Sequence, residues 1–464
     1  MARPDPPTEL HMDRKVPLWF FLLCMLFALL AMVAFGWTVR SSLSGSKRTG
    51  SWGKVAVEIA HFPSTANMVI RELLGYVSED YQDARVRVPR DDFDLSRFRP
   101  VQSKTDRSVD GLLAARVEGK AEDVWRLLIG AFWIDDDLEN AALLLSPSLD
   151  VTKVWIFDEA PIEGITPRHK ERKFIHGVAV LDDASLIFSF DAGVSLQRID
   201  RCGRRQWAIG GEFHHAVNLD DFGHSVWTLG DGLERPTQVA VEDGSILRSF
   251  SMEDVVRANP DIDILELRRV HQSESFDNRR NTDGKWYTDP FHLNDAEPLP
   301  AAIAGAFPDF AAGDLLISAR AINLLFVVDP EDLKVKWWRI GATQRQHDPD
   351  WQPNGEITVY NNRLSRDYSE IVAIDPSTFS KRIVYDGRRS NFYSRIRGKH
   401  EVLPSGHIIV SSPQQGRTFE VDETGEIVLE IMNTKPGSDD ENYVISELKR
   451  LSPETVEAAG ARCD

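Results

Sequence analysis

Hydrophobic positions are distributed along this chain in two very different ways. From Val16 to Val39 no side chain is charged: VPLWFFLLCMLFALLAMVAFGWTV. As a helix rising about 1.5 Å per residue, this run reaches roughly 36 Å, enough to cross a hydrocarbon core of about 30 Å. Trp19 and Trp37 stand near its ends, where aromatic side chains settle at membrane interfaces. A cleaved signal peptide competes with this reading. It calls for a shorter apolar core and small residues at a cleavage site, and only Ser42-Leu43-Ser44 follows. The pattern therefore predicts an N-terminal tail over 1–15 and a transmembrane helix over 16–39. Arg3, Arg14 and Lys15 precede the run and Arg40, Lys47, Arg48 and Lys54 follow it, so charge alone sets no orientation.

Two short helical patterns come next, VAVEIAHF and NMVIRELLGYV, followed by a charged irregular stretch. Residues 40–110 read as a short helical, membrane-proximal segment.

Beyond them the apolar pattern shortens and repeats. A β-like run ending in an acid recurs at Asp158, Asp200, Asp243, Asp329, Asp375 and Asp422, with steps of 42, 43, 86, 46 and 47. Interleaved with it are turn residues flanked by β formers: LDDASLIFSF, LDDFGHSVWTL, FAAGDLLISA, QPNGEITVY and LPSGHIIVSS. Each reads as a hairpin, and two hairpins per repeat make a four-stranded propeller blade. The step of 86 allows either a seventh blade or one blade with an insertion. Ser251–Pro290 is polar, helix-like at SMEDVVRA and loop-like at NRRNTDGKW, which favours the insertion. The fold predicted is all-β, a six-bladed β-propeller over 111–435 preceded by the transmembrane helix and the helical segment. A C-terminal tail over 436–464 includes YVISELKRL, a helix or a closing strand.

Composition narrows the function. A net charge of −18 over 464 residues argues against nucleic acid as a partner and requires any anion site to be locally basic. Of three cysteines, Cys24 lies in the apolar run, which leaves Cys202–Cys463 as a possible disulfide of the kind that export preserves.

His176, His215, His347 and His400 each stand five to eight residues before a hairpin turn, and His292 precedes another at a longer distance. That register is the start of the innermost strand of a blade, which lines the central channel. A basic stretch, Arg388, Arg389, Arg395, Arg397 and Lys399, accompanies them. Imidazoles with guanidinium groups suit a tetrahedral anion such as sulfate or phosphate. Histidines from separate blades could instead hold a metal, but no HExxH or CxxC accompanies them, and a P-loop and GxSxG are absent too. No metal and no cofactor is expected.

FHLND (His292, Asn294), QHDPDW with PNGEITVYNNR (His347, Asn361, Asn362), Arg366 and GKHEVLPSGHIIV (His400) resemble the aryl sulfate sulfotransferase family, as does EFHHAVNLDDFGHSVWTL around His215. The similarity runs over roughly residues 140–435. It implies a six-bladed propeller, exported to the periplasm in bacteria, that moves a sulfuryl group from a phenolic sulfate to a phenol through a sulfurylated histidine. By motif position it implies His400 as nucleophile, with His292, His347 and Arg366 holding sulfate and assisting the leaving oxygen. His215, Asn294 and Asn362 would be substrate-binding polar groups. The family's bacterial enzymes begin with a β-sandwich; here a membrane span and helical patterns stand instead. The resemblance also places the propeller on the periplasmic or extracellular side of the inner membrane. The competing function is a catalytically silent propeller, a binding or assembly platform tethered to the membrane.

Overall fold

The computed structural model describes residues 17–43, 49–73, 84–88, 93–158, 174–190, 195–230, 234–267, 269–270, 285–286 and 289–463. They fall into two compact units, one within residues 1–80 and the other formed by most of the remainder.

The first unit holds helices α1 (Leu18–Leu43) and α2 (Gly50–Leu73). α1 is apolar on every side, with leucines and phenylalanines exposed along its length. It is long and apolar enough to cross a membrane. The two helical patterns expected after it are one continuous helix that runs through Pro63.

The second unit is the propeller, and six blades are present among the described residues. Blade two takes its strands from residues 175–210, blade three from 214–249, blade four from 293–340 and blade five from 347–386. Blade six uses Lys399–Val402, Ile408–Ser412, Arg417–Val421 and Ile427–Asn433, and is widened outward by Leu112–Arg116 and Arg99–Pro100. Blade one closes the ring. Arg126–Ile134, Asp137–Leu145 and Val151–Ile156 supply three of its strands, and the C-terminal Ile445–Arg450 pairs antiparallel with Arg126–Gly130 as the innermost. Helix α4 (Pro453–Gly460) follows, and a disulfide joins Cys463 to Cys202 with Cα atoms 5.7 Å apart.

Blades pack face to face, so a middle strand is buried on both sides and reads as a continuous apolar run. Leu186–Phe190, Ile357–Asn361 and Leu324–Val328 are buried at every position. Outer strands such as Arg205–Gly210 and Ile246–Ser249 are largely exposed.

The repeating acid has a local cause. It ends the third strand, where its carboxylate accepts the N–H groups of the turn to the fourth. Asp200 Oδ1 accepts from Cys202 and Arg204 N–H, both at 2.9 Å. Asp422 Oδ1 accepts from Thr424 and Glu426, both at 3.0 Å, and Asp375 from Ser377 at 2.8 Å. Blade one departs from this pattern. Its third strand ends at Ser146, whose Oγ accepts from Asp150 N–H at 3.0 Å, while Asp158 follows the fourth strand. The acid at 158 is therefore out of register with the other five, although the blade count is unchanged. The long step of 86 holds one blade, delayed by helix α3 (Met252–Ala258), which is capped reciprocally by Ser251 and Asp254.

Candidate functional site

A shared irregularity shapes the axis. In five blades the innermost strand shifts register near its start, between Ile175 and Gly177, His214 and Val217, Leu293 and Asp295, His347 and Pro349, and Ile445 and Glu447. Such a bulge inserts an unpaired residue, bends the strand and re-aims side chains. The extra residues include His176, His215, Asn294, Asp348 and Ser446. Blade six pairs without a shift from Lys399↔Ser411 to Val402↔Ile408. Strain accompanies the bulges: His215, His292 and Asp348 hold φ of 61°, 48° and 49°, in the left-handed region. Gly177 is required where two blades meet, because a Cβ there would lie 2.0 Å from His215 O.

These bulges gather imidazoles from blades two to five. The His215 ring centroid lies 4.2 Å from that of His176, 4.6 Å from His214, 5.3 Å from His292 and 6.3 Å from His347. His215 is central, and its Nδ1 meets His214 Nδ1. Burial, then the neighbouring His176, His214, His292 and Arg320, hold the His215 imidazolium well below the ordinary histidine range.

His347 is held in one tautomer. Its Nδ1 faces Asn362 Oδ1 at 2.8 Å and Arg345 O at 3.1 Å, two acceptors that demand a proton there. Asn362 is itself oriented, since Nδ2 donates to Ser394 O at 2.8 Å and to Arg397 O at 2.6 Å. His347 Nε2 then carries the lone pair and accepts the Arg397 N–H at 3.2 Å. Burial, followed by the charge of Arg320, lowers its pKa well below the usual value, so the ring is neutral at neutral pH.

His292 differs. Its Nδ1 is bonded to the Asp289 carboxylate, and its side chain is 19% exposed, whereas His176, His214, His215 and His347 are buried. Arg320 begins a 3-10 turn after the second strand of blade four, and its N–H donates to His292 O at 3.2 Å.

Of the residues expected from sequence, His215, His292 and His347 come together, with Asn362 bonded to His347. Asn294 lies in its bulge with Nδ2 donating to Gln346 O at 2.7 Å. His400 stands apart because its strand lacks the bulge. Its side chain is fully buried, with Nδ1 2.9 Å from Asp348 Oδ2 and Nε2 2.8 Å from Thr358 Oγ1. Arg366 is exposed in the loop between the second and third strands of blade five and does not join the cluster. The basic stretch divides: Arg388 is exposed and paired with Asp386, while Arg397 is buried with its guanidinium 3.6 Å from the Phe174 ring centroid.

Sequence reasoning missed Arg320, Asp289 and Glu234. A signal for Arg320 exists in retrospect: in ISAR, as in VYNN at Asn362, a polar side chain ends an apolar second strand.

Further along the inner strands lies a charged layer. Lys399 Nζ is 2.5 Å from Asp348 Oδ1 and 3.5 Å from Asp295 Oδ2, and Asn218 donates to Asp295 at 2.7 Å. Asp348, Asp350 and His400 have potential ligand atoms within 4.8 Å of one another. Lys399 and Thr358 already engage Asp348 and His400 there.

Among solved structures the chain is similar to a protein of unknown function from Bacteroides caccae, at 13% identity and a TM-score of 0.43, over 70% of this chain and 98% of that one. TolB from Acinetobacter baumannii matches at 11% and 0.41, over 71% and 68% of the two chains. Virginiamycin B lyase from Staphylococcus aureus matches at 10% and 0.35, over 57% and 72%. No curated protein matches the chain. The arylsulfotransferase (ASST) family matches residues 177–434, more than half of the sequence and including His214, His215, His292 and His347, and the chain belongs to that family.

Proposed function

We propose that this protein is a membrane-tethered arylsulfotransferase that carries the sulfuryl group on His347, taking it from a small aryl sulfate and passing it to a phenol. The observation that carries this reading is the state of His347: neutral, with its proton fixed on Nδ1 by Asn362 and its lone pair on Nε2 within the imidazole cluster. A neutral imidazole nitrogen is a competent nucleophile, and a covalent intermediate divides one hard transfer into two easier ones.

In the first half-reaction His347 Nε2 gives up the Arg397 N–H and attacks sulfur. An N–S bond forms as the S–O bond to the aryl group breaks. The leaving phenolate oxygen takes a proton from His292 Nε2, while Asp289 holds the ring through Nδ1. In the second half-reaction His292 accepts the phenol's proton as that oxygen attacks sulfur and the N–S bond breaks. Arg320 offsets the sulfuryl charge as it moves between the partners. His400, whose ring lies outside the imidazole cluster and bonds Asp348 and Thr358, supports the fold.

Helix α1 would anchor the protein in the inner membrane, with the propeller on the exported side. The Cys202–Cys463 disulfide supports an oxidising compartment. The test is incubation of the full chain in detergent with a chromogenic aryl sulfate and a phenol. Phenol-dependent release of the chromophore together with a sulfated phenol supports the transferase. Absence of both, at a ligand-binding propeller, favours the silent membrane-tethered platform.

A further inference from the structure

We infer that Glu234 is a positioning residue for His292, working as a neutral carboxylic acid that shares its proton with Asp289. Glu234 precedes the third strand of blade three, and Asp289 and His292 lie at the entrance to blade four, so two blades meet here. Glu234 Oε1 accepts the backbone N–H of Phe291 at 2.9 Å and of His292 at 3.0 Å, which pins the segment carrying the imidazole. Asp289 bonds His292 Nδ1 through its other oxygen, Oδ2. Glu234 Oε2 and Asp289 Oδ1 are buried, and no hydrogen bond to either is formed by another described group. One proton between the two carboxyls satisfies both atoms. Two buried carboxylates side by side would repel, so one is kept neutral.

The direction of titration agrees. Burial raises Glu234 to about 8, and the adjacent Asp289 adds to the effect. Asp289 is lowered against the opposing effect of burial, by the hydrogen bond and charge of His292, then by Glu234 and Arg320. Asp289 and His292 act on Glu234, and His292 and Arg320 on Asp289. Glu234 thus supplies a proton that keeps Asp289 anionic and aimed, and Asp289 keeps the His292 proton on Nδ1 with Nε2 turned to the reacting oxygen.

The activity arm of the test rests on the sulfuryl-transfer reading; the spectroscopic arm does not. Glu234→Gln retains a carbonyl for the two backbone N–H groups and an amide donor for Asp289. Glu234→Ala removes both. Full-length protein in detergent, with ¹⁵N-labelled histidine and His292→Asn for assignment, reports the His292 tautomer. The expected result is a proton held on Nδ1 toward Asp289 in the wild type at pH 7, with that Nδ1–H signal perturbed as pH rises past about 8. Glu234→Gln should hold that tautomer at both pH values, and Glu234→Ala should lose it. In kinetics, Glu234→Ala should reduce kcat roughly 10- to 100-fold, the loss typical of partners that orient a working imidazole, with KM little changed. Glu234→Gln should restore most of it and remove the decline above pH 8. If Glu234→Gln loses the tautomer as fully as Glu234→Ala, or the wild type shows no change between pH 7 and 9, the neutral-acid role is overturned. A clean tautomer result without sulfuryl transfer would leave this role standing and remove the enzymatic reading instead.

Discussion

His400 Nε2 lies 2.8 Å from Thr358 Oγ1, reaching from the innermost strand of blade six to the second strand of blade five. With Asp348 on its other nitrogen, the ring ties two blades together and has both nitrogens turned to buried side chains. Replacing it with Asn leaves buried partners short of hydrogen bonds. His400→Asn should therefore cost roughly 1–3 kcal/mol of stability. Thermal unfolding should show this as a lowered midpoint, while transfer per folded molecule changes little. A fully stable variant with no activity would return His400 to the chemistry.

Arg320 should behave in the opposite way. Its charge acts on both His215 and His347, from a turn that packs on His292. Arg320→Ala should lower transfer on the order of 10²- to 10³-fold, as removal of a preorganised charge partner does. It should also raise the pKa of His347, because a nearby positive charge is gone. Histidine NMR titration beside steady-state kinetics checks both outcomes.

How far the sequence could be read follows from these residues. Blade count and strand order were legible because the acid ending a third strand is a local device, read from one hairpin at a time. Blade one escaped that marker because Ser146 performs the same capping without a charge. The axial histidines were legible as a register, since each opens an innermost strand. Their approach to the axis was legible with it, but the way His215, His292 and His347 meet depends on bulges that a linear pattern does not display. On a strand that lacks the bulge, His400 keeps its position in the repeat and turns to Asp348 and Thr358. Asp289 and Glu234 come from different blades, and only tertiary structure pairs them.

The disulfide gives a third prediction. Cys463 follows helix α4, which packs through Ala459 on the core of blades one and two, and Lys153 Nζ donates to Ala459 O at 2.6 Å. Bridging 261 positions should stabilise the ring by at most about 5–6 kcal/mol in the chain-entropy picture. Cys463→Ser or reduction should lower the unfolding midpoint, and non-reduced peptide mass spectrometry should recover the linked pair. Equal midpoints with and without reductant would contradict this.

Stability should also fall on the alkaline side of neutrality. Burial raises Glu234 and Glu297 to about 8 and Asp295 to about 6, all above ordinary carboxyl values. Each therefore binds a proton more tightly in the folded protein, and stability is lost as pH climbs toward the folded pKa. Between pH 7 and 9, above the range where the lowered His215 and His347 matter, the midpoint should drop and then level off. Glu297→Gln should flatten the curve, and a midpoint that rises with pH would refute the assignment.

The central claim is that His347 carries the sulfuryl group. The most direct measurement is peptide mapping of the full-length protein after a brief reaction with aryl ³⁵S-sulfate and no acceptor. The account predicts label on the peptide containing His347, discharged by added phenol. His347→Asn should abolish the label, and His400→Asn should retain it. Label on His400 or His292, persisting in His347→Asn, would contradict it.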